Sequence, residues 1–443
     1  MMTKFNVEDV YIFNPERECM SREDLKELQL RRLQSIVKYA YENVPFYQNS
    51  FDKAGVKPED IKTLEDIQLL PFITKDDLRN TYPFDLQAAP KEDWVEVHST
   101  SGTTGIPTVA AYTQKDLDIW AECTARGLAS VGVHKNDIVN VAYGFGLFTG
   151  GHGAQYGAQK IGALAVPMSS GNTQRQMNFL KDFPADFLCC TPSYALYLAE
   201  SFEKEGIDPH SIPLRGGLYG AEMWTEEIRN KLEKKFGISA QNIYGLTEVM
   251  GPGVSTECHI KDGMHIAEDH FYPEIIDPKT LEVLPEGSEG EIVFTTLTKT
   301  GMPVIRYRTK DISSLCYDKC ECGRTTVRMS RITGRSDDML KVKGVIVFPK
   351  QIEEVIMKMD ELSPAYQIIV SRPDTLDMIE VQVEIDQSTF KDSIVDLEGF
   401  KRKISKKIKE AIGIGVKVTL AEPYSLPRSE GKAVRVIDQR DFS

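Results

Sequence analysis

Long apolar runs are missing from this chain of 443 residues, and its cysteines are few. No stretch of eighteen apolar residues is present, so we expect no membrane-spanning helix. Residues 1–13 contain acids and lack an apolar core, so we expect no signal peptide. Eight cysteines do not form a disulfide framework in a chain of this length. These absences predict a cytoplasmic protein without a membrane partner.

An excess of positive charge is also missing. The net charge is −13, whereas a general nucleic-acid-binding protein needs a basic surface, so we expect no nucleic-acid partner. Hydrophobic residues make up 41% of the chain and charged residues 27%, which is typical of a globular protein. The length predicts more than one domain.

A segment rich in hydroxyl groups and glycine follows an extended run that begins at Trp94. The segment is not a Walker A loop, because it lacks the Lys-Ser/Thr pair. A capping-box pattern from Thr113 to Asp116 opens a helix soon after it. Glycine lets the backbone approach a ligand, and hydroxyl and N–H groups can then surround phosphate oxygens. We therefore favour a phosphate-binding loop over a flexible linker. The loop residues are Ser99, Thr100, Ser101, Gly102, Thr103, Thr104 and Gly105.

Hydrophobic periodicity divides the chain into three parts. Residues 1–90 are predicted to form a helical subdomain, which includes a long helix from Ser21 to Val44. Strand and helix patterns then alternate and predict a mostly parallel, layered α/β core over residues 91–334, with a β-rich part after Pro252. Residues 335–443 have the pattern of a compact α+β domain.

Three polar segments stand at predicted strand ends, where layered α/β folds bind ligands. They are the loops Gly220–Glu222 and Tyr244–Glu248, and Asp311 behind a basic strand. Glu248 beside Thr247 offers the hard oxygens that Mg²⁺ prefers, although a Glu at a helix start also simply complements the helix dipole. Asp311 suits a ribose hydroxyl, or it ends the strand in a turn.

The segment 144–153 contains five glycines interspersed with aromatic residues. Its backbone lies against a flat apolar ligand, or the glycines let a helix and a strand pack closely; the pattern leaves both interpretations open. His152 is either a catalytic base or a packed residue.

Two pairs of soft ligands flank turns in the β-rich part. Cys258 and His265 form one pair, and Cys320 and Cys322 form the other. Two such pairs on separate loops suit a structural Cys₃His zinc site. Free surface thiols are the alternative, and Cys316, His259 and His270 are spare candidates for ligands.

The order of these motifs carries a family resemblance across essentially the whole chain. STSGTTGIPT, GAE, YGLTE, RYRTKD, GRSDD and a C-terminal GK loop together resemble the adenylate-forming superfamily of acyl-CoA synthetases. GFGLFTGGHGA, EDHFYPEIIDP and LPRSEGKAVR are similar to segments of phenylacetate–CoA ligases. The resemblance implies the adenylate-forming fold, in which a large layered α/β N-terminal domain with a β-rich part carries a small, mobile α+β C-terminal domain.

The resemblance also implies a two-step reaction with an aromatic acid, ATP, Mg²⁺ and coenzyme A. The carboxylate attacks the α-phosphate of ATP and gives an acyl-adenylate and pyrophosphate. The coenzyme A thiol then displaces AMP and forms the thioester. Relatives of this family often form homodimers, so the resemblance implies a homodimer as well.

The resemblance assigns roles to residues at matching positions. The loop Ser99 to Gly105 would hold the β- and γ-phosphates, although Ile106 stands where relatives often have a basic residue. Adenosine would contact Gly220, Ala221, Glu222, Tyr244, Gly245, Asp311 and Arg335, the last two at the ribose. Thr247 would lie near the reacting phosphate, and Glu248 would bind the Mg²⁺ ion. Lys432 would contact the substrate carboxylate.

The remaining roles concern the acid, coenzyme A and domain rotation. Asp337 would be the hinge of the domain rotation. Separate sets of residues would contact the aryl group and the coenzyme A thiol. The aryl pocket would contain Tyr143, Phe148, Ala154, Ile243 and Pro252, and the coenzyme A loop Lys341, Lys343 and Gly344. Two alternatives stay open: a coenzyme F390 synthetase-like adenylyltransferase that does not use coenzyme A, and a zinc-loop binding protein with a degenerate catalytic site.

Overall fold

The computed structural model describes residues 3–100, 106–336, 340–342, 345–372, 377–387, 389, 397–428 and 433–440, with the side chains of Lys341 and Ile346 outside this description. Among the helices of these ranges, none combines the length and the apolar character needed to cross a membrane.

The N-terminal part of the chain is helical. Its helices are α1 (Pro15–Glu18), α2 (Arg22–Asn43), α3 (Pro45–Ala54) and α4 (Lys75–Asn80). The predicted long helix is confirmed as α2, and the Ser21 hydroxyl caps it by accepting a hydrogen bond from the Asp24 amide. Leu33 and Phe51 of this part lie in one hydrophobic core with Phe271 and Phe294 of the β-rich part.

A layered α/β core follows. Its elements are β1 (Trp94–Ser99), β2 (Val109–Thr113), α5 (Gln114–Ser130), β3 (Ile138–Val141), α6 (Thr149–Ile161), β4 (Leu164–Pro167), α7 (Thr173–Asp182), β5 (Phe187–Cys190), α8 (Pro192–Lys204), β6 (Gly216–Gly220), α9 (Glu226–Phe236), β7 (Ser239–Leu246), β8 (Gly251–Glu257) and β9 (Met264–Ile266). The capping box predicted before α5 is present at Thr113 and Asp116. Strands β4, β3, β5, β6 and β7 pair in parallel in that order, as the alternating pattern predicts.

The β-rich part consists of β10 (Phe271–Ile276), β11 (Gly290–Thr296), β12 (Tyr307–Ser313), β13 (Leu315–Cys316), β14 (Arg328–Met329) and β15 (Gly334–Arg335). Strands β10, β11, β12 and β15 form a separate antiparallel sheet. Strands β8, β9, β14 and β13 continue the parallel sheet beyond β7 with antiparallel pairing.

One predicted loop is wrong in its extent. Tyr244, Gly245 and Leu246 belong to β7, because Leu246 pairs with Gly251 across a tight turn and β8 returns antiparallel beside them. Only residues 247–250 form the turn. Similarly, Gly220 is the last residue of β6.

The C-terminal part contains β16 (Leu340–Val342), β17 (Val345–Val347), α10 (Pro349–Met357), β18 (Leu362–Ser371), β19 (Met378–Ile385), α11 (Leu397–Ile412), β20 (Lys417–Ala421) and β21 (Val436–Asp438). Its sheet has the order β20, β19, β18, β21, in which only β18 and β19 are antiparallel. Arg335 pairs with Asp311 of β12, so the sheet of the large part extends to the first residue of the predicted C-terminal domain.

Candidate active site between the two parts of the chain

A cleft of about 640 Å³ lies where the C-terminal part meets the ends of β6 and β7. The structure brings together in its walls six of the residues predicted to contact adenosine: Ala221, Glu222, Tyr244, Gly245, Asp311 and Arg335. Ile243, predicted for the aryl pocket, lines the same cleft. The position agrees with the general rule that ligands bind at the carboxyl ends of parallel strands.

Three of these side chains are joined on the large-domain face of the cleft. The Tyr244 hydroxyl donates to Asp311 Oδ2 at 2.7 Å, and Arg335 Nη1 donates to Asp311 Oδ1 at 3.0 Å. Burial, followed by the Asp311 charge, raises the pKa of Tyr244 well above its usual value. Tyr244 therefore stays protonated as a donor, and the strand pairing of Asp311 with Arg335 fixes the geometry of the group.

The turn after β7 is held from beneath by buried groups. The Tyr112 hydroxyl donates to the carbonyl oxygens of Thr247 at 3.1 Å and Met250 at 3.0 Å. Lys299, which is fully buried, donates through Nζ to the Glu248 carbonyl oxygen at 3.2 Å. Burial lowers the pKa of Lys299 to about 8. These contacts fix the backbone from which the Thr247 and Glu248 side chains project.

Glu248 is a buried carboxylate at this turn. One of its oxygens lies 3.6 Å from Lys75 Nζ, and the Glu248 charge, after burial, raises the pKa of Tyr307. The Thr247 hydroxyl lies 3.3 Å from the Thr149 hydroxyl. Carboxylate and hydroxyl oxygens are hard donors, so this group fits a Mg²⁺ ion chemically.

The described ends of the phosphate-loop segment are held in place. Ser99 donates its amide to the Leu147 carbonyl oxygen at 2.9 Å. Thr100 donates its amide to the Thr108 carbonyl oxygen at 3.0 Å, and the Thr108 amide donates back to Thr100 Oγ1 at 3.0 Å. Ile106 is 52% exposed.

The residues predicted for the aryl pocket do not all meet. Tyr143, Ala154 and Ile243 share one buried cluster, in which the Tyr143 hydroxyl donates to the Leu218 carbonyl oxygen at 3.2 Å. Phe148 is 51% exposed at the start of α6 and lies outside that cluster. Pro252 lies in β8, and its carbonyl oxygen accepts from Trp120 and Thr124.

The glycine-rich segment serves close packing at its helical end. A Cβ at Gly153 would lie 2.7 Å from Trp120 Nε1, and one at Gly157 would lie 2.8 Å from Thr124 Cβ. Helix α6 can therefore approach α5 only because these positions are glycine. Of the two interpretations of this segment, the structure supports close packing at Gly153.

His152 belongs to a group of side chains beside the phosphate-loop strand. Glu96 Oε1 lies 2.7 Å from His98 Nε2 and 3.4 Å from His152 Nδ1, and Tyr156 donates to Glu96 Oε2 at 2.6 Å. Burial raises the pKa of Glu96, but the hydrogen bonds from His98 and Tyr156 outweigh it and lower the pKa overall. His152 is thus packed against this group through Nδ1, whereas its Nε2 is buried without a hydrogen-bond partner among the described residues.

The four predicted zinc ligands converge at the ends of β8 and β9. Cys258 Sγ lies 3.7 Å from Cys320 Sγ, and Cys322 Sγ lies 3.3 Å from His265 Nε2. All four ligand atoms lie within 4.8 Å of one another. A tetrahedral zinc–thiolate site requires sulfur atoms roughly 3.8 Å apart, so the residues fit the metal.

Second contacts orient this cluster and exclude two spare candidates. Thr326 Oγ1 lies 3.0 Å from His265 Nδ1, which points Nε2 towards the thiols, as in metal-binding histidines generally. Cys316 instead accepts from Arg328 at 3.3 Å, and His270 lies 3.1 Å from Asp269. The set Cys258, His265, Cys320 and Cys322 is therefore the one that the structure assembles.

The sequence analysis missed the C-terminal face of the cleft. Glu353 of α10, Tyr366 of β18 and Arg435 before β21 line it. Burial, opposed by Arg435 and reinforced by Glu222, raises the pKa of Glu353 to about 7. The amphipathic pattern of α10 conceals Glu353, whereas Arg435 stands three positions after Lys432 in a quoted motif.

Several predicted site residues lie outside the described ranges, so the structure places none of them. They are Ser101, Gly102, Thr103, Thr104, Gly105, Asp337, Lys343, Gly344 and Lys432, together with the side chain of Lys341.

Comparison with known proteins decides the family. The model of the AMP-binding enzymes matches residues 8–298, and that of the AMP-binding enzyme C-terminal domain matches residues 344–440. A phenylacetate-coenzyme A ligase of Aromatoleum evansii is 49% identical over 96% of this chain and 96% of its own. The chain belongs to the phenylacetate–CoA ligase family. The corresponding ligase of Escherichia coli is 48% identical over 96% of this chain and 97% of its own.

Membership of the phenylacetate–CoA ligase family makes this chain an AMP-forming acid–thiol ligase with the adenylate-forming fold. A solved structure is similar over both parts of the chain. A 2-hydroxyisobutyryl-CoA ligase in the postadenylation state, with 2-HIB-AMP bound, is 30% identical over 96% of this chain and 92% of its own, with a TM-score of 0.91. The same ligase in the thioesterification state, with coenzyme A, gives a TM-score of 0.72. The structure is therefore more similar to that ligase's postadenylation structure than to its thioesterification structure.

Proposed function

We propose that this protein joins an aryl-acetic acid such as phenylacetate to coenzyme A in two steps. The acid first reacts with ATP to give an acyl-adenylate and pyrophosphate, and coenzyme A then displaces AMP. The observation that carries the proposal is the joined group Tyr244–Asp311–Arg335 in the cleft of a chain of this family.

The first step brings a carboxylate against a triphosphate, so neutralising charge and aligning the two groups account for most of the catalysis. Asp311 and Arg335 hold the ribose, and Gly220 to Glu222 with Tyr244 and Gly245 surround the adenine. The loop from Ser99 to Gly105 holds the outer phosphates through hydroxyl and amide groups. Lys432 bridges the carboxylate and the α-phosphate.

Mg²⁺ supplies positive charge to the phosphates when it is bound, and Glu248 with Thr247 would hold it. The buried hydrogen bonds from Tyr112 and Lys299 support this role, because they keep the turn in one position before the nucleotide arrives. The preorganised turn avoids the cost of reorganising the backbone during the reaction.

The second step uses the loop of Lys341, Lys343 and Gly344 beside the coenzyme A thiol, after rotation of the C-terminal part about Asp337. The difference in TM-score between the two states of the related ligase supports such a rotation. The aryl group lies near Ile243, which lines the cleft and also belongs to the buried cluster of Tyr143 and Ala154.

The decisive experiment incubates the purified protein with ATP, Mg²⁺ and a panel of carboxylic acids, with and without coenzyme A. We expect AMP and the coenzyme A thioester with phenylacetate or a closely related aromatic acid. Adenylation of a deazaflavin cofactor without coenzyme A would instead support the coenzyme F390 synthetase-like activity. Silence across the panel would support a binding protein with a degenerate site.

We also propose that Cys258, His265, Cys320 and Cys322 bind one structural Zn²⁺ ion. No ligand position is left for a substrate, so the ion joins the loop after β8 to the loop after β13. Elemental analysis of the purified protein should find about one zinc per chain. Cys258→Ser should lose the metal and lower the melting temperature, whereas the matched control Cys316→Ser should keep the metal. Equal zinc content in both variants would contradict the assignment.

A further inference from the structure

Helix α8 of the large part faces the C-terminal part along one side. Ser193 and Glu200 are seven residues apart and therefore lie on the same face, two turns from each other. Ser193, Leu196, Tyr197 and Glu200 line a shared cavity with Pro364, Pro427 and Arg428 of the C-terminal part. This cavity adjoins the cleft of about 640 Å³, because Tyr366, Ala433 and Arg435 line both, whereas Leu196 and Tyr197 of α8 line only the smaller cavity.

Arg428 forms a charged bridge between the two parts. Its guanidinium donates to both oxygens of Glu384, on β19 of its own part, at 2.7 Å each. It also donates to Glu200 Oε2 on α8 from Nη2 at 3.2 Å and Nε at 3.4 Å. The side chains of Arg428, Glu200 and Glu384 are 16%, 11% and 1% exposed, so the charges interact with little screening by solvent.

A second contact lies at the other end of the same helix face. One oxygen of Glu222 accepts the Ser193 amide at the start of α8, at 2.7 Å. The other oxygen accepts the Ala433 amide at 3.1 Å. Glu222 thus joins α8 to Ala433, one position after Lys432, while Glu200 holds Arg428, four positions before it.

We propose that Glu200 and Arg428 are positioning residues that hold the chain around Lys432 against α8 for the adenylation step. Glu222 is the second anchor. Because Arg428 and Ala433 move with the C-terminal part, rotation into the thioesterification state breaks both contacts. The pair therefore favours the first half-reaction and contributes nothing to the second. This inference rests on the proposed function, since it assigns Lys432 to adenylation.

Glu200→Gln tests the pair with little effect on folding, because it removes one charge and keeps the shape of the side chain. Losing a charged hydrogen bond of this kind should slow acyl-adenylate formation by about tenfold. Thioester formation from supplied acyl-adenylate and coenzyme A should keep the wild-type rate. The matched control is Glu203→Gln on the same helix, because Glu203 pairs with Lys235 of the large part at 2.6 Å. That control should change neither half-reaction.

Amide hydrogen exchange supplies a readout that needs no activity. Peptides containing residues 433–440 should exchange faster in Glu200→Gln than in the wild type, and at the wild-type rate in Glu203→Gln. If both half-reactions of Glu200→Gln fell equally, or if neither activity nor exchange changed, the positioning role would be wrong. If exchange rose as expected in Glu200→Gln while the wild type formed no adenylate, the contact would stand and the proposed function would fail.

Discussion

The two faces of the adenosine cleft are built in different ways. On the large-domain face, Tyr244, Asp311 and Arg335 project from paired strands and are hydrogen-bonded to one another. On the C-terminal face, Glu353 and Arg435 come from a helix and from the segment before β21. The first face is therefore fixed by the large part alone, whereas the second lines the cleft only when the two parts are docked.

On the proposed function, this difference separates the half-reactions that the two faces serve. The proposed adenylate stays bound through both steps, so we expect the groups that hold it not to depend on the position of the C-terminal part. We expect groups needed for one step only to lie on the C-terminal part, which the proposal has rotate between the steps. The predictions below test this division, beginning with the largest expected effect.

Lys432→Ala removes the charge that we assign to the moving face. Acyl-adenylate formation should fall by roughly 100-fold or more, because a charge placed at the developing transition state is lost. Thioester formation from supplied acyl-adenylate should proceed at the wild-type rate. Rapid-quench measurement of the two half-reactions checks this. An equal loss in both steps would contradict the division between the faces.

The difference between the two faces of the cleft also explains how much of the fold and of the candidate site the sequence could predict. Helix α2 has the position that periodicity and the Ser21 cap predict, because those signals are local. Tyr244 and Asp311 were identified because each stands at a predicted strand end, whereas Arg335 was assigned only by the family resemblance of its motif. Their mutual hydrogen bonds could not be predicted, since they depend on β12 pairing with β15.

The C-terminal face was missed for a physical reason. Glu353 and Arg435 are 82 positions apart and meet only through packing of α10 and β21 on the same sheet. The zinc ligands show an intermediate case. Residue type and spacing identified Cys258, His265, Cys320 and Cys322, but only the fold shows that Cys316 contacts Arg328 instead.

Asp311→Asn tests the fixed face. Asparagine keeps the shape but loses the charge that accepts from Tyr244 and Arg335, so nucleotide binding should weaken by about tenfold. Asp311→Asn should raise the concentration of ATP needed for the first half-reaction and the concentration of acyl-adenylate needed for the second. Lys432→Ala, in contrast, should affect only the first. KM values for ATP and for acyl-adenylate check this. The control Asp277→Asn, in an exposed turn, should leave both values unchanged. A defect confined to one half-reaction would contradict the assignment of Asp311 to a face that serves both half-reactions.

Glu353→Gln gives the smallest effect and concerns stability. The folded protein raises the pKa of Glu353 to about 7, so it keeps the proton at pH values where the unfolded chain has already lost it. The wild-type free energy of unfolding therefore falls as pH rises from the usual value for Glu to about 7, and the fall stops above that range.

Glutamine carries no such proton and keeps the acceptor oxygen that faces Tyr366. The variant should match the wild type near pH 4.5 and exceed it by about 3 kcal/mol at pH 8. Denaturant unfolding at both pH values measures the difference, with Glu354→Gln, a partly exposed neighbour, as the control. A gain that does not depend on pH would mean that Glu353 ionises normally. The protonation of Glu353 would then not distinguish the C-terminal face of the cleft from the large-domain face.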